Sequence, residues 1–101
     1  MASRLELHKL LMETLGSKNV YFQPPESVKI QYPCIIYERN RGKDFRANDL
    51  LYNYRKSYTL TMIDSNPDSE IPDRLLYLPF VAMDRHFKSD NLNHWTFTIY
   101  Y

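Results

Sequence analysis

Three histidines, His8, His86 and His94, are the side chains of this 101-residue chain best suited to hold a metal or move a proton near neutral pH. His86 and His94 lie close in sequence to Asp84 and Asp90, and pairing of the two C-terminal runs could set the imidazoles across from each other. That would sketch a zinc or general acid/base site. The spacing argues otherwise, since there is no His-x-x-x-His, no cysteine pair and no helical His-Glu arrangement, so both read first as solvent-facing strand residues. The serines at 3, 17, 27, 57, 65, 69 and 89 lack a Gly-x-Ser-x-Gly elbow, and two glycines cannot build a phosphate cradle. Cys34 is the one cysteine, which excludes an intramolecular disulfide and a cysteine-based zinc site. Its place inside an apolar run predicts a buried, inert thiol. The chain reads as a non-enzyme, with no cofactor implied.

A second constellation concerns binding. From Arg39 to Ser57, six basic residues (Arg39, Arg41, Lys43, Arg46, Arg55 and Lys56) stand against Asp44 and Asp49, a regional charge of +4 in a chain of +1 overall, which leaves −3 elsewhere. Phe45, Tyr52 and Tyr54 are interleaved with them. Opposed regional charges set register between self-assembling subunits, because complementary potentials steer encounter and orientation. The same residues could instead meet nucleic-acid phosphates with aromatics beside them, or form a solvated hairpin loop. A pI of 7.8 is a weak basis for a dedicated DNA-binding protein.

The elements that would position these groups begin with a helix. Ser3 and Glu6 have capping-box spacing, Leu7, Leu10, Leu11 and Leu15 form one apolar stripe, and Gly16 closes it. Val20-Tyr21-Phe22 is a short strand stopped by Pro24-Pro25. Two longer strands follow near Pro33 to Arg39 and Tyr54 to Asp64, with apolar residues on both faces and therefore an expectation of cover on both sides, at least in part. Residues 66–70 form a turn leading into a short helix marked by Ile71, Leu75 and Leu78 and ended before Pro79; Pro72 is tolerated in its first turn. Phe80 to Lys88 pairs with Asn93 to Tyr101 across Ser89-Asp90-Asn91-Leu92, placing Trp95, Phe97, Ile99 and Tyr101 on one face. A final run rich in β-formers predicts a terminus built into a sheet. The expected fold class is α+β: an antiparallel sheet with an N-terminal helix and a second short helix packed on it, and a C-terminal β-hairpin.

Length allows one domain spanning residues 1–101, burying roughly 60 to 70% of the surface of its unfolded chain. Nine tyrosines against five phenylalanines and one tryptophan favour surfaces that pack on one side and hydrogen-bond on the other. No apolar stretch is long enough for a membrane span and no signal-peptide pattern opens the chain, so a reducing cytosol and no membrane contact are expected.

Four strings, Gly16–Pro25 (GSKNVYFQPP), Tyr32–Tyr37 (YPCIIY), Tyr58–Ser69 (YTLTMIDSNPDS) and Asp84–Phe87 with Asp90–His94 (DRHF, DNLNH), occur in that order over residues 11–101. They resemble those of small tail-completion proteins of long-tailed bacteriophages, which are similar in turn to tail terminators. The resemblance implies a structural virion protein in the neck: a hexameric ring that ends the tail tube and joins it to the head-side connector or head-completion protein, with genomic DNA passing through the lumen. It implies assembly in the host cytoplasm and no catalytic residue. A small nucleic-acid-binding protein using Arg39 to Lys56 is the competing reading, with a metal-dependent enzyme at His86 and His94 third.

Overall fold

A computed structural model describes residues 4–40 and 57–101. The elements are α1 (Arg4–Leu15), β1 (Val20–Phe22), β2 (Cys34–Arg39), β3 (Ser57–Asp64), α2 (Ile71–Leu76), β4 (Val81–Ser89) and β5 (Leu92–Tyr100). The fold is α+β, a five-stranded sheet in the order β1-β2-β3-β5-β4. Three of its four pairings are antiparallel, but β1 lies parallel to β2, so the sheet is mixed rather than antiparallel throughout. Residues 23–33 bring the chain back to start β2 beside the beginning of β1, with Val20 in register with Ile35.

The helices pack on one face. Leu7, Leu11 and Leu15 of α1, with Ile71 and Leu75 of α2, meet Ile35, Tyr37, Tyr58, Leu60, Met62, Trp95, Phe97 and Ile99 in a single core. The α1 stripe is therefore core, although Leu10 stays only half-buried. Gly16 ends the helix at φ +80°, where its N–H and that of Ser17 both reach the Met12 carbonyl, a left-handed cap that costs glycine little. The expected cap residue Ser3 lies outside the described residues.

Among the described residues no helix lies on the opposite face. Cys34 and Ile63 are buried at one end of it, while Ile36, Thr59, Thr61, Thr96 and Thr98 remain half-buried, so the expected second cover is confined to that end. The second helix stops at Leu76, two residues short of the sequence reading, and Leu78 still packs against the core. The hairpin turns on Asp90 and Asn91, both left-handed (φ 53° and 64°), as a two-residue turn that matches strand twist demands. No helix among the described residues is long and apolar enough to cross a membrane.

Candidate subunit interface

Of the basic constellation, Arg39 is described: it is exposed at the end of β2, on the rim of a polar cleft lined also by Gln23, Pro24, Glu38 and Asn40. Arg41, Lys43, Phe45, Arg46, Tyr52, Tyr54, Arg55 and Lys56 lie outside the described residues, as does the Tyr54–Lys56 start expected for β3. What the structure adds is how β2 and β3 are clasped where residues 41–56 leave and return. The Asn40 amide donates to Ser57 Oγ at 2.7 Å, its carbonyl accepts from Thr59 Oγ1 at 2.7 Å, and its backbone N–H donates to the Ser57 carbonyl at 2.8 Å. One side chain thus ties two strands together, so that end of the sheet holds its shape on its own bonds.

The hairpin histidines do not form a pair. His86 is in register with Trp95 and His94 with Phe87, and successive positions on paired strands alternate faces, so the two imidazoles lie on opposite sides of the sheet. Each stacks on its cross-strand aromatic: His86 on Trp95 at 4.6 Å between centroids, His94 on Phe87 at 4.8 Å. His86 Nε2 donates to Asn93 Oδ1 at 3.2 Å, and His94 Nδ1 donates to the Leu92 carbonyl at 3.1 Å. Among the described residues no group of three His, Cys, Asp or Glu could hold a metal ion. Cys34 is fully buried and burial pushes its thiol up to about 12, so the nucleophilic thiolate is scarce at neutral pH.

His8 takes part in a constellation that sequence reasoning missed. Tyr37, fully buried on β2, has its hydroxyl 2.8 Å from His8 Nδ1 and 3.2 Å from an Arg4 guanidinium nitrogen. Arg4 can only donate, so the hydroxyl accepts from it, and the same hydroxyl shares a hydrogen bond with His8 Nδ1. Burial, and then the Arg4 charge, hold His8 below its usual value. Arg4 also lies 4.2 Å over the Phe22 ring, joining α1 to β1. These groups seal the N-terminal turn of α1 onto the sheet.

The surface most suited to a partner is at the other edge. Leu76 (42% exposed), Tyr77 (88%), Phe80 (44%) and Met83 (40%) follow one another from the end of α2 into β4, four of the seven large hydrophobic residues left exposed among those described. β4 is an edge strand of nine residues whose other side pairs with no described strand. Exposed strand edges template further pairing, and natural proteins guard them with bulges and charge. Here the guard covers half the strand. The register shifts between Met83 and Arg85, and Asp84, Arg85 and Lys88 follow the shift, whereas Phe80 to Met83 before it is apolar and unguarded. The apolar run Leu78 to Met83 is a sequence signal, but it reads equally as core; only the length of α2 decides which residues are left uncovered. Family models, curated proteins and solved structures give no match to this chain.

Proposed function

We propose that this chain is a structural virion protein of a long-tailed bacteriophage, a ring-forming subunit that ends the tail tube and joins it to the head-side connector. The four ordered strings over residues 11–101 support the reading. The observation that carries it on the structural side is the half-guarded edge of β4 with its exposed Leu76, Tyr77, Phe80 and Met83, because a solitary domain does not commonly leave such a row beside an open sheet edge. In this reading six copies close a ring, the tube protein and the head-completion protein meet its two ends, and DNA crosses the lumen without sequence preference.

The test is location and copy number in particles. Mass spectrometry and gold labelling of purified virions from the same genome should find about six copies at the head-proximal end of the tail. Particles whose necks lack the chain overturn the reading. Submicromolar, sequence-selective binding of duplex DNA by the purified protein at about 100 mM salt would favour a nucleic-acid-binding protein instead.

A further inference from the structure

We infer that the α2–β4 corner receives an extended, acidic segment of another protein, which adds to the sheet as a strand along the open edge of β4. In the virion reading this corner is a contact surface, and the occupant named here rests on that. The backbone specifies a strand. One step beyond the Val81–Ile99 pair, the Phe80 carbonyl accepts from the Tyr100 N–H at 3.1 Å, and successive residues of an antiparallel pair point their backbone groups to alternate sides. Val81 and Met83 therefore aim N–H and C=O away from β5, toward the side where no described strand lies. An extended peptide is the ligand that meets both residues at once.

Strain marks the same end. Phe80 holds φ +61°, a left-handed conformation that is costly for a bulky aromatic, and it is left 44% exposed. With Leu76, Tyr77 and Met83 it supplies the apolar area that a partner's side chains would bury at the centre of the contact. Charge selects the occupant. Residues 71–89 hold Arg74, Arg85 and Lys88 against Asp73 and Asp84, a formal +1. Asp84 accepts from Thr98 Oγ1 and Arg74 donates to the Thr14 carbonyl, so the exposed Arg85 and Lys88 dominate along the edge itself. Residues 4–40 hold five basic residues against four acidic ones, again +1, so neither the β1–β2 end nor the β4 edge of another copy brings the opposite charge. Carboxylates beside apolar residues on an extended segment do.

The experiment is fluorescence anisotropy of the purified full chain with labelled peptides of roughly ten residues, valines alternating in one half and aspartates in the other, made in both chain directions. A matching peptide carries lysine in place of aspartate. One aspartate peptide should bind saturably and weaken at least roughly tenfold between about 50 and about 500 mM salt. Arg85→Glu with Lys88→Glu should produce a loss of similar size, and the lysine peptide should not bind. Met83→Pro removes an outward N–H that β5 does not use and should abolish binding with an unchanged far-ultraviolet spectrum, whereas Met83→Leu should keep it. Should the proline variant misfold, hydrogen exchange on the parent reads the same contact, since the peptide should slow the amides of Val81 and Met83. Equal binding of aspartate and lysine peptides, no saturable binding in either direction, or unprotected β4 amides overturns the inference. So does self-association through this edge that the peptides do not displace. A chain absent from virion necks that still binds the peptide fails the functional reading alone, and a chain found there that binds none fails the occupant alone.

Discussion

Phe97, at the middle of β5, is in register with Leu60 of β3 on one side and Met83 of β4 on the other. Leu60 is fully buried and Met83 is 40% exposed. Both strands use the same partner over eight paired positions, so the ladder does not separate them. What separates them is cover. α1 has twelve residues and α2 six, and their buried side chains meet β2, β3 and β5; α2 reaches only the start of β4, where Val81 packs against the core, and the five residues from Ala82 to His86 that follow are exposed. Strand formation and burial are therefore distinct contributions here, and β4 has the first with little of the second.

The largest effect that tests this comparison is Leu60→Ala against Met83→Ala. Truncating Leu60 removes buried methyl groups from a closed core and should cost about 2 to 5 kcal/mol, a large share of the roughly 5 to 15 kcal/mol that holds such a domain together. Met83→Ala should stay within about 0.5 kcal/mol in the isolated subunit. Urea midpoints with unchanged slope are the measurement. Comparable losses from both would mean that β4 is covered in solution and would remove it as a free edge.

Next comes the clasp. Asn40→Ala takes a donor from the buried Ser57 hydroxyl and an acceptor from Thr59 at once, and should cost about 1 to 3 kcal/mol. The matching bond on the open side of the molecule, Thr98 Oγ1 to Asp84 Oδ2 at 2.9 Å, is exposed, so Thr98→Val should fall within about 0.5 kcal/mol of the parent. A clasp as dispensable as the Thr98 bond would show that residues 40 and 57 are held by something other than each other.

Much of this arrangement is legible in the residues and some is not. Alternation placed Trp95, Phe97 and Ile99 on one face because period-2 patterning depends only on the pleat, and the structure buries all three. The α1 stripe and the Asp90-Asn91 turn are local in the same sense. Strand direction is not local: Val20 to Phe22 looks the same whether β2 returns parallel or antiparallel, so the parallel pair had no periodic signal. The Tyr37–His8 contact joins residues 29 apart, and nothing near either one announces it. The uncovered corner was hidden for another reason, since Val81-Ala82-Met83 has the composition of core and its exposure depends on α2 ending at Leu76. Of the candidate basic residues, Arg39 alone is among those described.

A smaller effect separates the sealed N-terminal turn of α1 from the open β4 corner. Burial, and then the Arg4 charge, hold the His8 value in the folded chain below the ordinary 6.5. The unfolded chain takes up a proton first as pH falls, which means that the full stability is present above about pH 6.5 and declines below it toward the folded value. His8→Gln should flatten that part of the profile, read as melting temperature between pH 7 and pH 5. An unchanged slope in the variant would show that the decline comes from other groups.

The smallest expected effect is none, and it concerns metal at the hairpin. His86→Gln with His94→Gln should leave zinc content and any zinc-induced shift in melting temperature the same as in the parent. Two imidazoles on opposite faces of one sheet cannot share an ion whose bonds to nitrogen are about 2 Å long, and each ring already has a stacking partner and a hydrogen bond. The double variant should still melt slightly lower, since each stack contributes on the order of 1 kcal/mol, but that loss is independent of metal. Assembly distinguishes the two residues: His86 shares the core-side face of β4 with Met83, whereas His94 lies on the opposite face of β5, so His86→Gln alone should weaken association if the contact extends past the bulge. Stoichiometric zinc in the parent, lost in the double variant, would require a rearranged hairpin and would defeat both the register and the open-edge comparison built on it.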